Sequence, residues 1–253
     1  MNKPVISVIT ICYNAEATIK DTVQSVLGQD YNALEYVIVD GASTDATMSI
    51  LSAFSDPRIR LISEKDEGLY DAINKGIQMS SGEFICLLHA DDVFASKHVL
   101  SFVAGFFENE HDAEALSTAV HIFKPDHMDK PYRIYKSSGF KLWQFRLGMQ
   151  PPHPGFFVRR SGFEKVGYYR TQYKISGDFD WLLRALLLVR LNVKYSDYVS
   201  VFMRDGGMSA SGWKSKVLLN NEILKILKIH GIYSNKLLVY SKYLLKVFQL
   251  RKL

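Results

Sequence analysis

The sequence predicts an α/β fold in which a mostly parallel sheet carries helices on both faces. Three observations lead to this prediction. Strand-like and helix-like segments alternate over the first 110 residues, the strand-like segments are apolar and rich in β-branched residues, and the first helix-like segment has apolar residues at helical spacing. Such alternation is typical of parallel strands joined by helices. A chain of 253 residues, 47% hydrophobic and 23% charged, is long enough for one large core of this kind.

The predicted elements follow one another in a regular order. The strands are predicted at residues 5–12, 34–39, 58–63 and 84–88, and the helices at residues 15–27, 43–54, 69–79 and 99–107. We expect Asn14 to cap the first helix and Ser43 the second, because short polar side chains favour that position. The Ser-Ser-Gly sequence at residues 80–82 ends the third helix.

The alternation weakens after about residue 112. The later predicted strands cover residues 115–123, 132–135 and 156–158, a helix follows at residues 179–189, and two amphipathic helices after residue 213 are separated near residues 231–234. We therefore divide the chain into a main domain of residues 1–210, with halves 1–110 and 111–210, and a basic amphipathic helical tail of residues 211–253.

Several simple sequence features narrow the class of protein. Cys12 and Cys86 lie in apolar runs and give neither a zinc-binding spacing nor a disulfide framework, as expected in a reducing cytoplasm. The sequence enters its first strand directly after residues 1–4, so we expect no signal peptide. No segment has the ~20 uninterrupted apolar residues that a membrane-spanning helix needs.

Positive charge is concentrated at the C-terminus. The net charge of the chain is +5, but residues 211–253 hold nine lysines and arginines against one acid, Glu222, so the remaining chain is acidic. Two interpretations stay open: the tail packs on the body with a solvated lysine face, or it docks on an anionic membrane surface. We expect no nucleic-acid partner, because the body is acidic and lacks a recognisable binding module.

Four aspartates lie at the predicted carboxyl ends of strands, where ligands bind in parallel sheets. They are Asp40, Asp66, Asp91 and Asp92. The adjacent pair Asp91 and Asp92 is either a solvated first turn of a helix or a site for a hard divalent cation such as Mn²⁺ or Mg²⁺. The two further acids nearby favour the second interpretation, a metal–diphosphate site.

Four sequence blocks, in this order and spacing, resemble family 2 glycosyltransferases of the GT-A fold. They are SVITICYN at residues 7–14, VDGASTD at residues 39–45, DEGLYDAINKG at residues 66–76 and LHADD at residues 88–92. Together they span residues 5–95, and a weaker similarity continues to about residue 208. The resemblance implies that residues 1–110 bind a nucleotide sugar and that residues 111–210 bind the acceptor.

The resemblance also implies roles for single residues. Tyr13 is expected to lie against the nucleobase, and Asp40 and Asp66 are expected to line the pocket for base and ribose. Asp91 is expected to contact ribose or metal, and Asp92 to coordinate the divalent ion that holds the diphosphate. This is chemically sensible, because a metal neutralises the charge that develops on the leaving nucleoside diphosphate.

Two positions depart from the family pattern. Many members carry a further acid where this chain has His89, and a second acid where it has Gly41. For His89 we favour packing or a hydrogen bond to a metal-binding neighbour over direct ligation. Without an acid at position 41, base recognition depends on Asp40, Asp66 and backbone groups.

The segment SGDFDWLLR at residues 176–184 is similar to the catalytic-base block of the same family. The resemblance implies that Asp178 is the general base that takes the proton from the attacking hydroxyl, with inversion at the sugar carbon. Asp180 is the less favoured candidate. The alternative is structural, with Asp178 capping a helix and Asp180 in its first turn.

Three further features have weaker expected roles near the acceptor and the diphosphate. His153 lies between prolines in a segment similar to a histidine-containing family segment, and a structural role is an equal alternative. Arg184 is either part of the same site or the structural partner of a nearby acid. Residues 205–209 resemble a glycine-containing segment that closes over donor phosphates in relatives.

The resemblance thus implies an inverting, metal-dependent glycosyltransferase that acts on a nucleotide sugar, with UDP-sugars favoured. Relatives of this size commonly build bacterial surface polysaccharides, so the expected acceptor is a glycan or a lipid-linked saccharide at the inner face of the plasma membrane. Nucleotidyl transfer is discounted because residues 12–16 contain no glycine-rich phosphate loop. A non-catalytic nucleotide-sugar-binding or scaffold protein stays as the alternative.

Overall fold

A computed structural model of the protein describes residues 4–124, 127, 129–206 and 212–247. It confirms the predicted α/β class: one nine-stranded, mostly parallel sheet is flanked by helices. The strands are β1 (Ile6–Cys12), β2 (Leu34–Asp40), β3 (Ile59–Ser63), β4 (Phe84–Leu87), β5 (Val93–Phe94), β6 (Ala115–Phe123), β7 (Arg133–Tyr135), β8 (Phe156–Arg159) and β9 (Val193–Arg204). The α-helices are α1 (Ile19–Leu27), α2 (Thr47–Ser52), α3 (Leu69–Met79), α4 (Val99–Asn109), α5 (Arg160–Val166), α6 (Gly177–Leu183), α7 (Gly212–Ile229) and α8 (Lys236–Val247).

The sheet has a parallel part and a mixed part. Strands β3, β2, β1 and β4 run parallel in that spatial order, so the ends of β1 and β2 lie side by side, with Cys12 paired with Asp40. Beyond β4 the order continues through β8, β6, β9 and β5, where β8 is antiparallel to both of its neighbours and β6 is parallel to β9. The second half of the chain therefore lies beside β4. The start of β8 is close to the end of β4 and to the loop that follows it.

Two apolar cores, one on each face of the sheet, explain why the buried strands are mostly apolar. Along β1, Val8 packs into one core and Ile9 into the other. One core contains the apolar faces of α1, α2 and α4, and the other contains those of α3, α5, α6, α7 and α8. Alternate side chains of a strand point to opposite faces, so both faces of the parallel strands are covered.

The first turn of α1 differs from the sequence prediction. The helix begins at Ile19 rather than near residue 15, and Asn14 is not its cap but adopts a left-handed backbone with φ of 50°. The Asn14 side chain instead accepts the backbone N–H of Thr44 at 2.9 Å, while Ser43 accepts the N–H of Asn14 at 2.8 Å. The loop after β1 is thus joined to the loop after β2, and Ser43 does not cap α2, which begins at Thr47.

The structure contains elements that pattern alone did not predict: β5 near the end of the first half, and α5 and the twelve-residue strand β9 in the second half. The predicted helix at residues 179–189 begins two residues earlier and changes at Arg184 into a π-helical segment, Arg184–Leu188. The two predicted C-terminal helices are present as α7 and α8 and pack into the core of the main domain. The predicted boundary at residues 210 and 211 lies outside the described residues. In the part of the chain that the structure describes, no helix has the length and apolar content needed to cross a bilayer.

Candidate active site

Asp40, at the end of β2, is fully buried and organises the loops that follow β1 and β2. Its Oδ1 accepts the hydroxyl of Ser43 at 2.5 Å, and its Oδ2 accepts the Ser43 backbone N–H at 3.0 Å and the Ser63 hydroxyl at 2.6 Å. The thiol of Cys12 lies 3.6 Å from Oδ1. The oxygens of Asp40, which is predicted to line the base and ribose pocket, are therefore already engaged by the protein.

Asp66 and Tyr13 meet at Gly41, beside Asp40. A Cβ atom added at Gly41 would lie 2.6 Å from Asp66 Oδ2 and 3.5 Å from a ring carbon of Tyr13. The Asp66 carboxylate thus occupies the space that a side chain at position 41 would need, which explains the glycine at this departure from the family pattern. Tyr13 is 63% exposed and Asp66 is half-buried, so both are accessible to a ligand.

Asp91 and Asp92 form a tight turn directly after β4. The backbone N–H of Asp92 donates to the His89 carbonyl at 3.0 Å, and the Thr22 hydroxyl of α1 lies 2.9 Å from the Ala90 carbonyl oxygen and 2.8 Å from that of Asp92. Asp92 is buried, whereas Asp91 is half-buried. Burial raises the pKa of Asp92 well above its usual range, and the Asp91 carboxylate raises it further.

Arg204, the last residue of β9, donates hydrogen bonds to both acids of this turn. Its backbone N–H donates to Asp92 Oδ1 at 3.3 Å, its Nη1 donates to the Asp91 carbonyl at 3.3 Å, and its Nη2 pairs with Asp21 at 2.6 Å. Arg204 lowers the pKa of Asp92, against the larger effect of burial. The segment that follows, predicted at residues 205–209, lies outside the described residues from position 207 onward.

The chemistry of the two acids fits a divalent cation that is shared with a substrate. The Asp91–Asp92 turn supplies a buried carboxylate next to a half-buried one, an arrangement that a cation would relieve. Within the described ranges there is no cluster of three or more His, Cys, Asp or Glu residues suited to a metal. Mg²⁺ typically uses one or two carboxylates, with water and substrate phosphates completing its shell, so two carboxylates suffice.

Asp178 forms a second centre at the start of α6. Its Oδ2 accepts Nε2 of Gln150 at 2.5 Å, and its Oδ1 lies 3.4 Å from the Tyr70 hydroxyl. That hydroxyl donates to the Ile175 carbonyl at 2.6 Å. Burial and the Asp178 carboxylate together raise the pKa of Tyr70, so this phenol keeps its proton. Asp178 is half-buried at the mouth of the helix, as the sequence predicts.

His153 links the two acidic centres. It lies in the short 3₁₀ turn before β8, where its Nε2 is 3.0 Å from the Tyr169 hydroxyl and its ring stacks on His89 with centroids 6.1 Å apart. Burial lowers the pKa of His153 to about 4, although the Asp178 carboxylate opposes the shift and His89 adds to it. His153 is therefore neutral at pH 7, with His89 on one side and within the electrostatic influence of the Asp178 carboxylate.

Asp180 and Arg184 belong to a buried ion-pair network rather than to the open site. Asp180 Oδ2 accepts Arg184 Nε at 2.9 Å, and its Oδ1 lies 3.2 Å from both Arg170 Nη1 and His230 Nε2. Arg184 also donates to the carbonyl of Val166, and its Nη2 donates to a second carbonyl at 2.8 Å. Its surroundings correspond to the structural alternative and not to an acceptor or diphosphate contact.

The sequence alone did not identify Gln150, Tyr70 and Arg204 as neighbours of the site. Tyr70 stands four residues after Asp66 in a predicted helix, and its side chain crosses to Asp178, which is 108 residues away. Gln150 directly precedes the two prolines before His153, so its position in a rigid loop was the only available signal. Arg204 gave no signal, because β9 was not predicted.

Comparison with known proteins assigns the family. The family described as "Glycosyl transferase family 2" matches residues 7–167. A PGL/p-HBAD biosynthesis glycosyltransferase of Mycobacterium bovis is 27% identical over 229 residues, which cover 89% of this chain and 84% of the relative. An uncharacterized glycosyltransferase of Mycobacterium tuberculosis is 32% identical over 187 residues, which cover 73% of this chain and 70% of the relative.

Two solved structures share the fold. S. aureus TarS 1–349 in complex with UDP-GlcNAc aligns with a TM-score of 0.65 at 21% identity, covering 87% of this chain and 66% of that one. The mannosyltransferase PcManGT from Pyrobaculum calidifontis, in complex with GDP-Man and Mn²⁺, aligns with a TM-score of 0.64 at 18% identity, covering 89% of this chain and 65% of that one. This chain thus spans slightly less than two thirds of each of these longer proteins, and the GT-A prediction for its fold is confirmed. With its fold, its acidic turn after β4 and a family match over residues 7–167, the chain belongs to glycosyltransferase family 2.

Proposed function

We propose that this glycosyltransferase moves a hexosyl or N-acetylhexosaminyl group from a nucleoside-diphosphate sugar, with UDP-sugars favoured, to a hydroxyl of a glycan or lipid-linked saccharide in bacterial polysaccharide synthesis. The observation that carries the proposal is the position of His153, whose ring centroid is 6.1 Å from that of His89, next to the Asp91–Asp92 turn, and whose pKa is raised by the Asp178 carboxylate against the larger effect of burial. This arrangement supports the proposal that the Asp91–Asp92 turn and Asp178 serve one reaction. The solved complexes of TarS with UDP-GlcNAc and of PcManGT with GDP-Man and Mn²⁺ support a nucleotide-sugar donor.

The nucleobase and ribose of the donor are proposed to bind at the ends of β1 and β2. The exposed ring of Tyr13 offers a surface on which a base can stack, and Asp66 offers a half-buried hydrogen-bond acceptor beside it. Asp40 contributes by holding the loop in place, since its oxygens already accept hydrogen bonds from the protein. Asp91 lies farther along the same edge, on the path toward the diphosphate.

The diphosphate is proposed to bind with a divalent cation, Mn²⁺ or Mg²⁺, held by Asp92 and assisted by Asp91. When bound, such a cation neutralises the negative charge that develops on the departing nucleoside diphosphate. Arg204 supports this arrangement from the protein side, because it fixes the turn through the Asp91 carbonyl and keeps a cationic group close to the two acids. His153, neutral at pH 7, is proposed to contact the acceptor or the diphosphate as a hydrogen-bonding group without a charge.

Asp178 is proposed as the general base. In a direct displacement, the acceptor oxygen forms a bond to the anomeric carbon while the bond from that carbon to the diphosphate breaks, and the hydroxyl proton passes to Asp178. The configuration of the sugar carbon is then inverted. Asp180 is unsuited to this role, since it is fully buried and lies next to Arg184, Arg170 and His230.

The outer surface of α7 and α8 is proposed to dock on an anionic membrane, where a lipid-linked acceptor would be presented. Lys214, Lys225 and Lys228 are exposed along α7, whereas Glu222, the sole acid within residues 212–247, points inward. On α8, Leu237 and Leu244 lie two turns apart and are 81% and 72% exposed. Exposed leucines and exposed lysines both suit an anionic lipid surface. The protein would then act at the cytoplasmic face of the membrane.

Vesicle co-sedimentation tests this docking surface. The protein should bind vesicles that contain phosphatidylglycerol, release them at high salt, and ignore vesicles of phosphatidylcholine alone. The double substitution of Leu237 and Leu244 by serine should weaken binding without changing turnover of a water-soluble acceptor. Salt-independent binding, or self-association through α8 in light scattering, would contradict membrane docking.

The main experiment measures release of nucleoside diphosphate from a panel of UDP-, GDP- and dTDP-sugars, with a membrane lipid extract as acceptor. We expect one donor to be turned over in the presence of Mn²⁺ or Mg²⁺, and we expect Asp92→Asn and Asp178→Asn to abolish that turnover. Binding of a nucleotide sugar without turnover under any condition would instead support the non-catalytic scaffold alternative. No binding of any nucleotide sugar would refute both.

A further inference from the structure

The Asp178 carboxylate has one short hydrogen bond from a side chain, and its donor is Gln150. The distance from Gln150 Nε2 to Asp178 Oδ2 is 2.5 Å, whereas the Tyr70 hydroxyl is 3.4 Å from Oδ1. Because Tyr70 donates its proton to the Ile175 carbonyl at 2.6 Å, it contributes little to the orientation of the carboxylate. The Gln150 amide is therefore the group that sets the direction of Oδ2 and leaves Oδ1 less constrained.

The other end of the Gln150 amide makes no polar contact. Its Oε1 is buried and lacks a hydrogen-bond partner among the described residues. An unpaired buried oxygen is destabilising, so a glutamine retained only for packing would be less favourable than an apolar side chain of the same size. The bond to Asp178 is thus the one polar contact that accounts for an amide at this position.

The loop around Gln150 is held on several sides. Gly148, two residues earlier, has a left-handed φ of 67°, and a side chain there would approach Ile223 and Val239 of α7 and α8 within 3.1–3.3 Å. The Gln150 carbonyl accepts the hydroxyl of Tyr135, and two prolines follow directly. The rigid backbone of this loop therefore directs the Gln150 side-chain amide toward Asp178.

The Gln150 amide is neutral, which also suits a hydrogen-bond partner of a general base. No cation forms an ion pair with Asp178 within the described ranges, although Asp180, two residues later, has three cationic or potentially cationic neighbours. A neutral amide orients a carboxylate without pairing its charge, which leaves the carboxylate able to accept a proton.

We propose that Gln150 is a positioning residue that orients the Asp178 carboxylate toward the acceptor hydroxyl. The inference rests on the proposed role of Asp178 as the base. Gln150 does not itself exchange a proton: the hydroxyl proton of the acceptor passes to Asp178 while Nε2 keeps its hydrogen bond to Oδ2.

Two substitutions separate positioning from packing. Gln150→Leu keeps the volume and removes the unpaired oxygen, so kcat should fall about 10- to 100-fold while the melting temperature stays equal or rises and the affinity for nucleoside diphosphate is unchanged. Gln150→Glu places a second carboxyl group against Asp178, so the acid limb of the kcat profile should move to higher pH by about one unit or more. Gln172→Glu adds the same charge at an exposed site and should leave both readouts as in the wild type.

The same assay should include Asp178→Asn. If Asp178→Asn is inactive while both Gln150 variants keep the kcat and pH profile of the wild type, the positioning role is overturned and the base assignment stands. If Asp178→Asn stays active, the base assignment and the role of Gln150 fail together. A lower melting temperature with unchanged kcat in Gln150→Leu would identify a packing residue.

Discussion

Glu222 of α7 accepts the backbone N–H of Ser176, two residues before Asp178, at 2.9 Å. The same carboxylate accepts the N–H groups of Lys174 at 2.8 Å and Ile175 at 3.1 Å. Three successive amides that lead into α6 are therefore satisfied by one buried acid from the C-terminal helices. The segment that sequence patterning describes as a basic tail thus contributes directly to the position of the candidate base.

Glu222→Gln should lower both stability and turnover. The substitution replaces one acceptor oxygen with an NH₂ group that faces backbone donors, so the free energy of unfolding should fall by about 2 kcal/mol. The backbone before Asp178 would also shift, so kcat should fall more than the donor KM changes. Urea unfolding and steady-state kinetics measure the two effects. Glu164→Gln changes an exposed acid and serves as the control. If the variant is less stable but keeps a normal kcat, Glu222 does not help to position Asp178.

Arg184→Met should destabilise the protein without weakening nucleotide binding. Arg184 is buried and pairs with Asp180, so its removal leaves a buried carboxylate with fewer partners, at a cost of about 3–5 kcal/mol. Calorimetric titration with UDP should give the affinity of the wild type. Arg190→Met, at an exposed arginine, should change neither property. If Arg184→Met loses affinity for UDP while its stability is unchanged, Arg184 instead contacts the diphosphate.

The fold was predictable where burial gives a continuous sequence signal. Strands β1 and β2 are covered on both faces and appear as mostly apolar, β-branched runs, and α3 was predicted at its observed bounds because a Ser-Ser-Gly sequence ends it. Strand β9 was missed because its residues are mostly half-exposed and include Lys194, Ser196 and Asp197, which give the segment the composition of a loop.

The site was predictable where a residue lies in a recognisable block and unpredictable where it arrives from a distant part of the chain. The acids at the strand ends were selected from their position and from the family-like blocks, and their roles stay predictions. Gln150 reaches Asp178 across 28 residues, and Arg204 reaches Asp92 across 112 residues. Neither separation corresponds to a local period, so only the folded sheet reveals these contacts. The capping prediction for Asn14 failed for the same reason, because its side chain bonds to a loop 30 residues away.

Gly177→Ala should impair the site, and Gly105→Ala provides a matched control. A Cβ atom at Gly177 would lie 2.7 Å from the Tyr70 ring, so the start of α6 or the ring must move. Overpacking of this kind should lower the free energy of unfolding by about 1–3 kcal/mol and reduce kcat through Asp178. A Cβ atom at Gly105, inside α4, meets no atom within 4 Å, so alanine there should be neutral or stabilising by up to about 1 kcal/mol. If the two variants have the same free energy of unfolding and the same kcat, the Tyr70 ring does not approach Gly177 this closely.

The burial of neutral His153 should make stability depend on pH in acid. The folded-state pKa of His153 is lowered to about 4, whereas an unperturbed histidine has a pKa of 6.5. As the pH falls below 6.5, the unfolded chain binds a proton at this position that the folded protein does not bind until about pH 4. The unfolded state therefore gains stability through this window, and the wild type should lose up to about 3 kcal/mol that His153→Gln does not lose.

Urea unfolding between about pH 7 and pH 4 measures this difference. The groups that face His153 are His89, the Tyr169 hydroxyl and the Asp178 carboxylate, and only His89 adds to the lowering of its pKa. Replacement of His89 by glutamine should therefore make the loss of stability at low pH smaller without abolishing it. His111→Gln, at an exposed histidine, should follow the wild type at every pH. If His153→Gln and the wild type lose stability in parallel, His153 is protonated in the folded protein near its ordinary pKa, and its proposed role as an uncharged contact for the diphosphate is wrong.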